Sequence, residues 1–378
     1  MPVIPLPVML WCWGRRGSAL RYTVDLARAL AADPSLAVHL SMSRQSEFFA
    51  EAQGLGLPGF HIDTYSSAAG FACGLFRLPA IRHSFAAYIR RHAIAAVDDT
   101  MSHLWHPAAV GAVRAGGAAL VMTLHDAEPH PGEDRPGRDW LLRREVAAAD
   151  ALICLTRHVR DRACARFAID QRRTSIVPHA ALAYGAPRLR QAPSGRPWRL
   201  LFLGRIMPYK GPAVMLAAYC ELRRRGLPVV LHVAGPGDAS LLGAHADVDG
   251  LRVEARWLAE SELGPIVDSA DLVVCPYTEA SQSGVVPTGF AAGLPAVVTP
   301  VGGLAEQVAD GITGTVAASA TPSAVADAIA RLVRDPALYE RCSHGALTAA
   351  REELSWPAVA RGVGAALRTA AEARACAV

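Results

Sequence analysis

Short apolar runs recur along the chain, and most close on glycine, proline or polar residues before a stretch with helical spacing. Val8–Trp13 is the first such run. It is followed by Gly14-Arg15-Arg16-Gly17-Ser18 and by Leu20, Val24, Leu26, Ala27 and Leu30 on one helical face. Ala37–Ser41, Ile94–Val97, Ala118–Leu124, Ala151–Leu155 and Thr174–His179 continue the series as strands. Residues 66–78 are small, apolar and weakly patterned, which reads as a mobile loop. A second series opens with Arg199–Leu203 and a helix over Ala213–Arg225. It runs on through Val229–Ala234, a strand within Leu251–Leu258, a helix over Glu260–Ser269, and the strands Asp271–Pro276 and Ala296–Thr299. Fully apolar strands alternating with helices predict parallel sheets covered on both faces. The expected fold class is α/β, with two doubly wound domains facing a cleft. The proline-rich segment 186–198 reads as the linker between a domain over 1–185 and one over 199–355.

Composition narrows this picture without redirecting it. A chain of 378 residues exceeds one ordinary core. Its 52% hydrophobic and 19% charged content excludes disorder. A net charge of +4 does not indicate nucleic acid and tolerates an anionic ligand or membrane face. The eight cysteines show no C-x-x-C or regular framework, so reduced thiols and a cytoplasmic setting are expected. Met1–Trp13 lacks a basic leader region and reads as a first strand. The uncharged run Ala280–Ala305 contains Pro287, Pro295 and Pro300, which break any membrane-spanning helix.

Candidate chemistry gathers where strands end. After Asp271–Pro276 come Tyr277, Glu279 and the small-residue turn Ser283-Gly284-Val285, which opens a helix through Thr288. Backbone N–H groups at such a turn suit an anion such as a diphosphate; close helix–sheet packing is the plainer alternative. After Arg199–Leu203, Gly204, Arg205 and Lys210 read as a two-pronged anion clamp or as solvated surface cations. Gly235-Pro236-Gly237 marks another strand exit. The Gly14–Gly17 loop is not G-x-G-x-x-G, and it reads equally as a tight turn or as room for a ligand. The strand Ala118–Leu124 delivers His125 beside Asp126, a placement suited to chemistry, with His130 and Pro131-Gly132 beyond. Asp98-Asp99 lacks further carboxylates at ligand spacing and reads as a polar strand end; no metal residues are assigned.

Taken in order, Gly204-Arg205…Lys210-Gly211, Gly235-Pro236-Gly237, Pro276-Tyr277…Gly284 and Gly302-Gly303-Leu304-Ala305-Glu306 resemble the retaining GT-B glycosyltransferases of glycosyltransferase family 4. The likeness is strongest over 199–310. It implies a GT-B fold of two Rossmann-like domains. A nucleotide-diphosphate sugar, of UDP or GDP type, would bind mainly to the second, and an acceptor mainly to the first. Arg205 and Lys210 match the family's diphosphate-binding pair, with Gly204 and Gly235 in the loops beside them. Ser283, Gly284 and Val285 match the turn whose amides meet the diphosphate and sugar. Glu279 lies within a residue of the first glutamate of an E-x7-E motif. The second, which usually holds the ribose hydroxyls, falls on Thr288. His125 resembles the histidine that approaches the donor sugar, and Gly17 the glycine of the first loop. The last helix, over 356–378, would cross back to the first domain.

The implied reaction moves a sugar to an acceptor hydroxyl with retention, without cofactor or metal, in polysaccharide or glycoconjugate synthesis. Arg205, Lys210 and the turn amides would stabilise the leaving diphosphate, while His125 and Glu279 orient the sugar. Residues 66–78 and Phe48-Phe49 hint at a lipid-linked acceptor and peripheral membrane contact; a glycan acceptor is the other expectation. Thr288 motivates one rival, a degenerate GT-B protein that binds a nucleotide sugar or a partner enzyme without turnover. A nucleotide-sugar epimerase or dinucleotide-using enzyme is the other.

Overall fold

Two parallel sheets, each sandwiched by helices, account for the computed structural model, which describes residues 4–131, 137–243 and 248–376. Met1–Val3 and Gly132, which entered the readings above, lie outside them, as do residues 377–378. Two units result. The first is built from residues 4–128, 137–178 and 356–376, the second from 129–131, 179–243 and 248–355.

The first unit begins with β1 (Leu6–Cys12), α1 (Ser18–Ala31), β2 (Leu36–Met42), α2 (Phe49–Gly54) and α3 (Ala68–Arg91). It continues with β3 (Ala96–Asp99), α4 (His106–Ala115), β4 (Ala119–Leu124), α5 (Arg138–Ala148), β5 (Ala151–Cys154), α6 (Arg157–Phe167) and β6 (Thr174–Ile176). The sheet order is β2-β1-β3-β4-β5-β6, all parallel, with Val8 between Val38 and Ala96. The strands β1 and β4 are apolar along nearly their whole length because both faces are covered.

Two expectations change here. Residues 66–78 are not a loop: α3 starts at Ala68, and the Ser67 hydroxyl caps it by accepting the Gly70 N–H at 3.1 Å. The weak pattern reflects apolar residues that do not keep to one buried face: Leu75 and Phe76 are exposed, while a Cβ on Gly74 would sit 2.3 Å from the Trp105 ring. Asp98 and Asp99 lie inside β3, not beyond it, so their side chains leave on opposite faces.

The second unit runs β7 (Trp198–Leu203), α7 (Pro212–Arg224), β8 (Val229–Ala234), β9 (Leu251–Glu254), α8 (Glu260–Ser269) and β10 (Leu272–Cys275). Then come α9 (Val285–Ala291), β11 (Ala296–Val298), β12 (Gly314–Val316), α10 (Pro322–Arg334) and α11 (Pro336–Arg351). Its parallel sheet is ordered β12-β11-β10-β7-β8-β9.

The segment 186–198, expected to be a linker, belongs to this unit. Buried Arg190 ties it down: its N–H donates to Ser343 Oγ at 2.8 Å and its Nε to the Ala292 carbonyl at 2.9 Å. The chain passes from one unit to the other at Pro178–His179 instead. It returns in α12 (Trp356–Ala375), which packs on α1, β3 and β4 of the first unit through Val359, Val363 and Leu367.

Candidate functional site

In the second sheet β7 lies between β10 and β8. The chain winds outward through β8 and β9 on one side and through β10, β11 and β12 on the other. A crevice opens between neighbouring strands whose connections depart in opposite directions, and ligands of open α/β sheets bind there, beyond the carboxyl ends. The loops after β7 and β10 border that crevice. They carry Gly204–Lys210 and Tyr277–Val285.

These loops are joined by side chains. Lys210 Nζ donates to the Tyr277 hydroxyl at 3.1 Å and lies 4.8 Å from that ring's centroid. The Tyr277 hydroxyl in turn lies 3.2 Å from Ser283 Oγ. Arg205 is exposed, and its Nη2 donates to the Tyr209 hydroxyl at 3.1 Å. Burial pushes the Tyr277 phenol well above its usual range, helped by the neighbouring Cys275, so the ring stays neutral beside the ammonium. Burial also pushes the Cys275 thiol up to about 11, against the pull of Lys210, which leaves it a protonated packing residue. The result is a cationic edge, Arg205 and Lys210, on a neutral aromatic floor, a suitable lining for a polyanion.

Gly235 sets how closely the strand exits approach. Its φ is +139°, and a Cβ there would lie 2.2 Å from the Gly204 carbonyl oxygen. Only glycine permits that backbone contact. Gly204 N–H donates to the Ala234 carbonyl at 2.9 Å, extending the β7–β8 ladder into the loop.

The Ser283 turn is held from outside the predicted motif. Gln307 accepts the Ser283 N–H at 2.7 Å and donates to the Ser283 carbonyl at 3.0 Å. Ser283 Oγ accepts the Val285 N–H at 3.2 Å, and Thr288 Oγ1 donates to the Gly284 carbonyl at 2.8 Å. Thr288 is buried and its proton is engaged within its own helix. A Cβ on Gly284 would lie 3.4 Å from His179 Nε2. Glu279 is half exposed, with Oε1 3.2 Å from His130 Nδ1. His130 is buried and stacks on Tyr209, with centroids 4.3 Å apart and planes inclined by 14°.

Gly17 and His125 belong to the first unit. Gly17, at φ +109°, precedes α1, and its N–H donates to Glu47 Oε1 at 2.7 Å. His125 leaves β4 with Nε2 3.0 Å from the Thr100 carbonyl and its ring edge-on to Tyr22. Burial lowers its pKa, opposed by that carbonyl and by Asp126. A neutral imidazole with Nε2–H as donor satisfies this contact.

Sequence comparison agrees with the loop chemistry. The profile of the family described as Glycosyl transferases group 1 matches residues 197–335, and that of Glycosyltransferase Family 4 matches residues 19–181. A protein of Catenulispora acidiphila named D-inositol 3-phosphate glycosyltransferase 1 is 30% identical over 300 residues, covering 71% of this chain and 72% of that one. The chain belongs to glycosyltransferase family 4. Other similar members of the family are matched over less of their length. A D-inositol 3-phosphate glycosyltransferase of Nocardioides sp. is 31% identical over 70% of this chain and 65% of its own. The chain spans about half of one from Frankia alni, which is 35% identical over 47% of each.

Solved structures place this family-4 chain in the GT-B fold. The Anabaena protein HepE in complex with UDP superposes with a TM-score of 0.72 at 13% identity, covering 97% of this chain and all of that one. Sucrose-phosphate synthase of Thermosynechococcus elongatus does so at 0.73 and 18%, with coverage of 97% and 100%.

The family motifs pointed to Arg205, Lys210 and the Ser283 turn but not to His130, Tyr209 or Gln307. His130 meets Glu279 across 149 positions of sequence, and no spacing rule reaches that far. Gln307 directly follows the Gly302–Glu306 motif, so its adjacency was a usable signal.

Proposed function

We propose that the protein transfers a sugar from a nucleotide-diphosphate sugar to an acceptor hydroxyl with retention of configuration. The observation that carries this is the pairing of Arg205 and Lys210 at the switch point of the second sheet, fixed by Tyr209, Tyr277 and Ser283. In such a transfer the glycosyl–phosphate bond breaks early, and negative charge grows on the diphosphate. Preorganised cations and N–H donors stabilise that charge. The chain's own residues supply them, so the proposed step is independent of a metal ion. The leaving phosphate would accept the acceptor's proton as the new bond forms on the same face. His125 and Glu279 act in this reading by orienting the sugar.

UDP is the first nucleotide to try, because HepE is described in complexes with UDP and UDP-glucose. The relatives' names make an inositol phosphate the first acceptor, beside the glycan and lipid-linked acceptors of polysaccharide synthesis. Thr288 supports a second reading, a nucleotide-sugar binder without turnover. Its neutral hydroxyl stands where the family usually has a ribose-binding carboxylate, and it already donates to Gly284.

A panel of UDP- and GDP-sugars, read by thermal shift and by release of nucleoside diphosphate, separates the two. Arg205→Ala should leave the fold intact and lower kcat on the order of a hundredfold or more, since losing one such donor costs about 2.7–4 kcal/mol of barrier. Near-normal turnover in the variant would refute the assigned role. Donor-induced stabilisation without any diphosphate release, with or without acceptor, would favour the binder.

A further inference from the structure

The carboxyl end of β3, one residue before the Thr100 carbonyl that holds His125, carries a second cluster. Asp99 ends β3, His106 begins α4 and Glu145 lies in α5; one ligand-type atom from each comes within 4.8 Å of the other two. All three side chains are buried, at 2%, 0% and 1% exposure. Their mutual contacts are partial. His106 Nδ1 lies 2.8 Å from Asp99 Oδ2, and Ser102 Oγ donates to Glu145 Oε2 at 2.6 Å. Asp99 Oδ1, His106 Nε2 and Glu145 Oε1 remain buried without a hydrogen-bond partner. Among the described residues no lysine or arginine pairs with either carboxyl group.

Buried polar atoms are rarely left unmatched, and a buried carboxylate without a cation is costly. Three lone-pair donors converging from three elements are matched at once by a cation. We propose that Asp99, His106 and Glu145 bind a divalent transition-metal ion inside the first unit.

One imidazole and two carboxylates suit zinc or manganese. Ligands about 2.0–2.2 Å from a tetrahedral zinc stand roughly 3.4 Å apart, so the cluster has only to tighten from its present spacing. Rotation of the Glu145 side chain is the simplest way. Asp98 is not a ligand: its carboxyl group faces away and accepts from Thr123 Oγ1 at 3.0 Å. Ser102 is exposed, which brings the cluster within one residue of solvent and gives an ion a way in. The ion would pin the end of β3 to α4 and α5. This assignment is structural and independent of the transfer chemistry proposed above.

The test uses the untagged full chain, stripped with EDTA and then dialysed against ZnCl2 or MnCl2, beside His106→Gln and Glu145→Gln. The expected result is one retained equivalent of metal and a rise in Tm of about 5 °C at a hundredfold excess over Kd, both lost in the variants. The zinc K-edge spectrum of the wild-type protein should read one imidazole with oxygen ligands, a measurement that does not depend on a variant folding. The assignment is overturned if the wild type retains no metal, if the variants bind it equally well, or if the spectrum shows thiolate sulfur. A stripped Glu145→Gln protein more stable than a metal-indifferent wild type would mean that shared protons hold the cluster instead.

Discussion

Gly235 shows how much one residue controls in this family-4 chain. The Gly204 carbonyl oxygen occupies the position a Cβ would need, at a φ that side chains disfavour. Gly235→Ala should therefore destabilise the second unit by more than about 1–3 kcal/mol and separate the β7 and β8 exits that carry Arg205. Chemical denaturation of the variant checks this, and an unchanged midpoint would show that the loops give way easily. A different residue contributes to the response to acid. His39 is buried against Tyr88, whose hydroxyl is 2.9 Å from its Nδ1, and near the His92 ring; burial and then His92 lower its pKa from 6.5 to about 4. The unfolded chain takes up a proton that the folded chain refuses, so this contribution is complete above pH 6.5 and is lost as pH falls toward 4. His39→Asn, which keeps a partner for Tyr88, should reduce the slope of Tm against pH across that window, the other histidines whose pKa burial lowers keeping the rest. An identical slope in the variant would remove His39 from the account.

At the level of elements, side-chain periodicity was legible wherever strands are buried on both faces. The spans of β8 and α8 agree with the apolar strand and the helix expected there. The failures share one cause: the determining contact is distant in sequence. In α3 the helical pattern over 66–78 is obscured because Gly74, which has no side chain, is the residue packed on the Trp105 ring, while Leu75 and Phe76 are exposed. Asp98-Asp99 do end β3, but the nearness of Asp99 to His106 and Glu145 was not legible because α4 and α5 supply those two residues. The same distance hid His130 from Glu279, whereas Arg205 and Lys210 could be proposed together because they share one short loop after one strand. If close packing explains α3, then Gly74→Ala should displace Trp105, shift its fluorescence and cost about 1–3 kcal/mol, the usual range for overpacking. Unchanged emission and stability would mean that α3 moves freely over that ring.

Across the whole molecule, two sheets could be counted from the sequence, but the path between units could not. Polar, proline-rich composition marked 186–198 as a linker, yet Arg190 buries itself there by donating to the Ala292 carbonyl, with its backbone N–H on Ser343. Such an arginine looks like any surface cation until its acceptors are known. The last helix makes the stronger case for discontinuity. Val359, Val363 and Leu367 of α12 are buried in the first unit, although the whole second unit precedes them in the chain. The first unit thus completes its core only after the second has been synthesised. Leu367→Ala should cost about 2–5 kcal/mol, as for other large-to-small core changes. Hydrogen exchange then distinguishes the units: faster exchange is expected in β3, β4 and α1, with little change in β7, β8 and β10. If the loss of protection fell on those second-unit strands instead, α12 would have been assigned to the wrong core.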